Sequence, residues 1–239
     1  PERRGVLSRS RRTGFQSNDC FLKMNRESYF TPETIREKSR AMLDSLAAFR
    51  ARHADIVFRP ERATLLVLDM QNYFLREGSH AFIPSAPAII PNLQLLITNY
   101  YAANRPVIFT RHLNTDEDAG MMSRWWRDVI RTDSPDSAIH ASLDTSKGVV
   151  IQKAQYDAFY NTSLEEILRG RGVEQVIVTG VMTHLCCETT ARSAFMRGFE
   201  VFFCVDGTAA YTEEAHRASL YNLAHGVALP VLCKEISFS

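Results

Sequence analysis

No apolar run in this chain of 239 residues reaches the length of about eighteen that a membrane-spanning helix requires. Charge of one sign is equally scarce in excess. Lysine and arginine number 28 against 27 acids, a net +1 that provides no field for nucleic acid or an anionic membrane as partner. Cysteine is sparse, scattered and odd in number (Cys20, Cys186, Cys187, Cys204, Cys233), which excludes a disulfide-built scaffold and suits a reduced, cytoplasmic protein. The histidines form no HExxH helix, and no paired-cysteine spacing accompanies them, so no metal motif is present. The glycines form no phosphate loop: Gly170-Arg171-Gly172 lacks a third glycine and precedes a strand instead of opening a helix. There is no internal repeat and no low-complexity tract.

What is present is an ordinary globular composition, 45% hydrophobic and 23% charged, in a chain long enough for one large, well-buried domain. Residues 1–24 stand apart. Arg3, Arg4, Arg9, Arg11 and Arg12 sit among Ser and Gly without apolar periodicity. A transit peptide would be Arg- and Ser-rich, but Glu2 and Asp19 count against one, and the segment reads as a disordered or non-native extension before Met24. Residues 25–58 read as a helical segment: Thr31 caps, Pro32 takes the first helical position, and Ile35, Met42, Leu43, Leu46 and Phe49 follow a helical period. This accessory helix is expected to pack on the domain or on a neighbouring subunit.

Residues 59–239 alternate strand and helix. Strands are predicted at 64–68, 106–110, 148–151, 175–179, 200–205 and 228–232. Helices are predicted at 88–103, 121–130, 163–168, after the fourth strand to about 197, and at 213–225. The first strand is wholly apolar, as expected where helices cover both faces of a sheet. The fold class is therefore α/β, a Rossmann-like parallel sheet with helices on both faces plus the N-terminal accessory helix.

In such sheets ligands bind beyond the carboxyl ends of the strands. The residues found there are Asp69-Met70-Gln71-Asn72, Thr110-Arg111-His112, Gln152-Lys153, the stretch from Gly180 to Cys187, and Asp206. Taken singly, each has a plain structural account. Asp69 can cap a turn, Lys153 can be a solvated strand-end charge, and Asp206-Gly207 reads as a turn. Arg111 and His112 can pair with Asp116, Glu117 and Asp118, and the cysteines can be small buried hydrophobes. Taken together, a carboxylate, an amine and a thiol at three strand ends form a nucleophile system. A cysteine at the start of a helix has its thiolate favoured by the dipole and by a nearby lysine, and the carboxylate can move the proton. The same helix start offers backbone donors to an oxyanion.

Three ordered blocks carry a family resemblance: Leu65-Leu66-Val67-Leu68-Asp69-Met70-Gln71-Asn72, the stretch from Lys153 through Tyr156 and Phe159 to Leu164, and Gly180-Val181-Met182-Thr183-His184-Leu185-Cys186-Cys187. The chain resembles the isochorismatase-like hydrolase superfamily over about 60–230, in its cysteine hydrolase, or amidohydrolase, branch. The resemblance implies a catalytic triad of Asp69, Lys153 and Cys186, the spacing from Gly180 selecting Cys186 over Cys187. It also implies a cis peptide between Val181 and Met182, oxyanion donors at the backbone N–H groups of Met182 and Cys186, and a covalent thioester route for C–N cleavage in a small amide, ureide or carbamoyl compound. It implies a homodimer or higher homo-oligomer as well.

The metal-dependent nicotinamidase branch carries T-x-D-x-H after its second strand, where this chain has Thr110-Arg111-His112-Leu113-Asn114. No metal and no other cofactor is expected. Isochorismatases proper share the lead-in from Phe58 to Ala63 but typically lack the cysteine. Vinyl-ether cleavage by Asp69 and Lys153 is thus the alternative reaction, and a non-catalytic interaction module acting through the N-terminal helix is a second alternative. Gln71, Phe74, His112, Trp125, Trp126, Tyr156 and Phe159 are candidates for the pocket around a small-molecule substrate, and Arg111 with His112 for a substrate carboxylate.

Overall fold

The computed structural model of the chain describes residues 25–126 and 128–238, so the extension read at 1–24 lies outside the described residues. The strands are β1 (Ala63–Leu68), β2 (Val107–His112), β3 (Val149–Lys153), β4 (Gln175–Val181), β5 (Glu200–Ala209) and β6 (Leu229–Val231). They form one parallel sheet in the order β3-β2-β1-β4-β5-β6. Every residue of β1 and of β4, the two central strands, is buried, which is why their sequences run apolar without alternation. Helices on both faces close the sheet. They are α3 (Asn72–Leu75), α4 (Ala86–Ala102), α5 (Met121–Trp126), α6 (Leu164–Gly170), α7 (Glu188–Met196) and α8 (Glu213–Gly226), following α1 (Ile35–Asp44) and α2 (Ala47–Arg52). No helix among the described residues is long and apolar enough to cross a membrane.

The N-terminal segment packs on its own domain. Met42 and Leu43 of α1 are buried, Lys38 pairs with Glu213 at 2.7 Å, and Arg50 of α2 pairs with Glu235 at 3.0 Å. Ahead of α1, the Tyr29 hydroxyl accepts the Ala210 N–H at 3.0 Å, fastening the segment to the end of β5.

Two expectations about elements need correction. The helix expected across 121–130 stops at Trp126. The turn expected at Asp206-Gly207 is instead strand, because β5 runs on to Ala209. There the Asp206 carboxylate accepts the Cys233 N–H at 2.7 Å, so the aspartate is held by the chain beyond β6 and does not cap a turn. Gly207 is needed for space: a Cβ would come within 2.7 Å of the Cys204 Cβ and 2.8 Å of the Cys233 Sγ.

The strand order reverses between β1 and β4. This is the topological switch point, where the two neighbouring loops diverge and leave a crevice at the carboxyl edge. Asp69 follows β1, and the Cys186 turn follows β4.

Candidate active site

The crevice is closed at its base by a backbone contact. Gly180 has φ +105°, and a Cβ there would lie 2.1 Å from the Leu68 oxygen and 2.6 Å from its nitrogen. Only glycine lets the end of β4 lie this flat against the residue preceding Asp69. Beyond it the Val181–Met182 peptide is cis, and Thr183–Cys187 form a single π-helical turn leading into α7. The Met182 carbonyl accepts the N–H groups of Leu185 and Cys187, at 3.1 and 3.2 Å. Adjacent positions in a helical turn point about 100° apart. Cys186 accordingly lines the crevice, while the Cys187 thiol turns back toward the Thr179 carbonyl at 3.9 Å.

Asp69 is placed by its neighbour on β2. Its N–H donates to the Thr110 hydroxyl oxygen at 3.1 Å, and that hydroxyl donates back to Asp69 Oδ1 at 2.6 Å. The other carboxylate oxygen meets the Lys153 Nζ at 2.8 Å, with both side chains wholly buried. Lys153, the last residue of β3, also donates to the Gln155 carbonyl at 2.9 Å. Its ammonium lies 3.4 Å from the Cys186 sulfur and 3.3 Å from His112 Nδ1.

The charges follow from these contacts. Burial raises the Asp69 carboxyl, but Lys153 and His112 with the local hydrogen bonds outweigh it and hold the group below the usual carboxylate range. Burial lowers the Lys153 amine, but Asp69 and Cys186 more than offset it, leaving lysine above its ordinary value. Burial and the Asp69 charge push the Cys186 thiol up, only partly opposed by Lys153. Burial and then the Lys153 charge lower His112 to about 4, so it is neutral at physiological pH. Within the cluster these effects favour a carboxylate at Asp69, an ammonium at Lys153 and a neutral imidazole at His112, and they disfavour ionisation of Cys186. Burial and the Asp69 charge thus oppose the thiolate expected for position 186, and Lys153 favours it. The sulfur lies inside a buried turn beside a carboxylate, not at the open end of a helix dipole.

The remaining candidates separate. Phe74, His112 and Tyr156 line a small cavity of about 70 Å³ in front of Cys186, together with Trp126. Trp125 does not: it is 72% exposed, because α5 turns Met122 and Trp126, four residues apart, toward the cavity. Arg111 donates to the carbonyl and hydroxyl of Ser137, at 3.1 and 3.0 Å, instead of pointing into the crevice. Gln71 is buried outside the cavity. Its amide accepts the His112 N–H at 2.7 Å and donates to the His112 and Ser137 carbonyls, lacing β1 to β2. Phe159 stacks on Phe199 under the Arg197 guanidinium, in the core. The plain structural account of Arg111 and His112, pairing with the acids of 116–118, does not hold either: Asp116 pairs with Arg131 at 2.6 Å, and the His112 Nε2 meets Asn114 Oδ1 at 3.1 Å.

Several cavity residues escaped the sequence reading. Met122 was legible as the helical partner of Trp126. Arg26 and Tyr211, which form a cation–π pair with 4.9 Å between guanidinium and ring centre, come from distant segments that carry no motif.

Among the described residues, Asp69, His112 and Cys186 present donor atoms within 4.8 Å of one another, a spacing compatible with a metal ion. The Lys153 ammonium touches all three, at 2.8, 3.3 and 3.4 Å. The cation this donor set holds is the lysine, and a divalent ion would have to enter against it. The residues do not fit a metal.

A doubly wound α/β sheet with a buried carboxylate–ammonium–thiol cluster at its switch point defines the class. The chain belongs to the isochorismatase family, whose isochorismatase domain model matches residues 63–234. It is 44% identical to nicotinamidase 3 of Arabidopsis thaliana over 179 residues, 73% of this chain and 86% of that protein. It is 31% identical to enterobactin synthase component B of Escherichia coli K12 over 185 residues, 76% of this chain but 65% of that longer protein. The crystal structure of a cysteine hydrolase from Pseudomonas syringae pv. phaseolicola superposes with a TM-score of 0.73 at 28% identity, covering 75% of this chain and 92% of that one.

Proposed function

We propose that the chain is a cysteine hydrolase that cleaves the C–N bond of a small, flat carboxamide through a thioester. The single observation that carries this reading is the buried cluster in which Lys153 lies 2.8 Å from Asp69 and 3.4 Å from the Cys186 sulfur. The Cys186 S–H proton passes to the Asp69 carboxylate as the sulfur attacks the carbonyl carbon. Lys153 carries the charge balance, holding a carboxylate before the transfer and a thiolate during it. The backbone N–H groups of Met182 and Cys186 serve the developing oxyanion. Asp69 then returns the proton to the leaving nitrogen, which departs as an amine or ammonia. Water attacks the thioester carbonyl and gives a proton to Asp69; the C–S bond then breaks, Asp69 passes that proton to the sulfur, and the carboxylic acid leaves.

A small cavity walled by Phe74, Met122, Trp126 and Tyr156 suits a monocyclic aromatic carboxamide better than a long-chain substrate. The likeness to nicotinamidase 3 supports the same choice. The interaction-module reading loses its basis, because the apolar face of α1 is already covered by the domain.

The test is a screen over aromatic amides, ureides, carbamoyl compounds and isochorismate with the wild type, Cys186→Ala and Cys187→Ala. Cys186→Ala should lose at least about a thousand-fold in kcat on its amide, and Cys187→Ala should stay within about ten-fold. Iodoacetamide should label Cys186 of the empty site only as pH becomes alkaline, since burial and Asp69 hold the thiol protonated. Full turnover by Cys186→Ala with isochorismate as best substrate would hand the reaction to Asp69 and Lys153 alone.

A further inference from the structure

Three hydrogens of the Lys153 ammonium meet four acceptors. Asp69 Oδ2 lies at 2.8 Å and the Gln155 carbonyl at 2.9 Å, and each takes one hydrogen. The third is left between His112 Nδ1 at 3.3 Å and the Cys186 sulfur at 3.4 Å. Both rivals are buried. An ammonium has three donors and no more, so whichever rival takes the third hydrogen, the other goes without it.

The form of the His112 ring decides whether it can compete, and Asn114 fixes that form. The Asn114 amide nitrogen donates to the Ala154 carbonyl at 2.9 Å and to the Asp118 carboxylate at 3.3 Å, two groups that only accept. The amide oxygen is therefore the atom that faces His112 Nε2 at 3.1 Å, and Nε2 must carry the hydrogen. Burial and the Lys153 charge lower His112 to about 4, so at neutral pH the ring holds one N–H only. Nδ1 is left as a bare lone pair 3.3 Å from the ammonium.

We propose that His112, held in this form by Asn114, is a positioning residue that acts on the sulfur through Lys153: it takes the third ammonium hydrogen while Cys186 is a thiol and yields it when the sulfur becomes a thiolate. This rests on the reading of Cys186 as the attacking group. A thiol sulfur is a weak acceptor and loses to an imidazole lone pair, whereas a thiolate gains a charge-assisted bond and wins. No N–H bond breaks in the exchange. The S–H bond breaks, its proton goes to Asp69, and one ammonium hydrogen turns from nitrogen to sulfur. The charged groups facing the sulfur are Asp69 and Lys153, and His112 changes neither charge. What it changes is the starting state. Without Nδ1 the thiol state leaves an ammonium hydrogen poorly paired, the thiolate state loses nothing, and the sulfur ionises more easily. His112 thus keeps the empty site unreactive.

The experiment needs no substrate. Alkylation of Cys186 by iodoacetamide, followed by peptide mass spectrometry at one mildly alkaline pH, is compared in the wild type, His112→Phe and His112→Gln. Phe fills the place of the ring without an acceptor, while Gln offers an oxygen to Lys153 and an amide N–H to Asn114. His112→Phe should react about three- to ten-fold faster than the wild type, and His112→Gln within about two-fold of it. Access is separated from ionisation in an Asp69→Leu, Lys153→Met chain, which has no ammonium to share. There, adding His112→Phe should change the rate by less than about two-fold. Nitrogen-15 NMR of the histidine rings, with His112 assigned by its loss in His112→Gln, should show the Nε2–H form in the wild type. Its Nδ1 resonance should move toward the free position in the Asp69→Leu, Lys153→Met chain. Circular dichroism checks that each variant is folded.

An Nδ1–H ring in the wild type, or an Nδ1 resonance that ignores the loss of Lys153, overturns the assignment even where His112→Phe does not fold. So does a His112→Phe chain alkylated no faster than the wild type, a His112→Gln chain as fast as His112→Phe, or an equal acceleration in the Asp69→Leu, Lys153→Met background. The expected rates and ring form, found with no turnover of any amide, leave His112 its role and remove the hydrolase reading.

Discussion

Replacing Asp69 with Asn isolates the buried ion pair, because the amide keeps the shape of the carboxylate and its acceptor for the Thr110 hydroxyl. What changes is the side facing Lys153, where an NH₂ group would now confront an ammonium with no exposed surface. Breaking one side of a buried pair costs about 3–5 kcal/mol. In a chain of this size each kcal/mol moves the melting temperature by about 2–4 °C, so a fall of roughly 6–20 °C at pH 7 is expected.

The pH dependence is the sharper readout. In the wild type Asp69 is lowered, so its contribution is complete above the ordinary carboxylate value and lost as pH falls through the lowered one. Lys153 is raised, so its contribution is complete below the ordinary lysine value and lost as pH climbs through the raised one. Between about pH 5 and 9 the pair therefore gives no slope. In Asp69→Asn, burial acts on Lys153 without the carboxylate, and the folded-state value drops below that of the unfolded chain. The unfolded chain then binds more protons, and stability rises with pH. Urea melts from pH 6 to 9 should show the deficit shrinking as pH rises, and a paired Asp69→Leu, Lys153→Met chain should recover much of the loss. A variant as stable as the wild type, with a parallel pH curve, would refute the charged, buried pair.

Two further expectations bear on the same region. Excess EDTA should leave amide turnover unchanged, since Lys153 already fills the point on which Asp69, His112 and Cys186 converge; activity lost to the chelator and restored by Zn²⁺ or Fe²⁺ would refute it. Gly180→Ala should cost at least about 3 kcal/mol, combining a left-handed φ with a backbone collision at Leu68. A denaturation midpoint equivalent to within about 0.5 kcal/mol of the wild type would show that the close approach is not required.

Element order was legible because the central strands are apolar on both faces and each ends at a residue of a different chemical kind. The Asp69, Lys153 and Cys186 side chains could be grouped before any geometry, since a parallel sheet sends all its strand ends to one edge. The protonation state of Cys186 could not. It depends on a carboxylate 117 positions away in sequence and on burial, and neither is visible in the local motif. The neighbouring tryptophans show a second limit: a helix of six residues separates Trp125 from Trp126 by rotation alone, and the sequence, which offers both to the pocket, does not give that rotation. Gln71 and Arg111 sit at strand ends as pocket residues do, yet they spend their polar groups fastening backbone at Ser137, a partner no periodicity points to.

The division of the crevice between two sets of chain segments has a consequence for how such a protein can diversify. The groups proposed to react sit on strand ends locked together through the Gly180–Leu68 contact, the Thr110–Asp69 bonds and the Lys153 contacts. Much of the cavity wall comes from elsewhere: the short helix after Gln71, α5, and the segments bearing Arg26 and Tyr211. Exchanges in those pieces can reshape what is admitted without moving the strand ends, although His112, Met182 and Cys186 at those ends line the cavity too. Chemistry is inherited with the sheet, and selectivity is free to drift with the loops. On one scaffold, relatives can then come to bear names as different as nicotinamidase and enterobactin synthase component without rebuilding the interior.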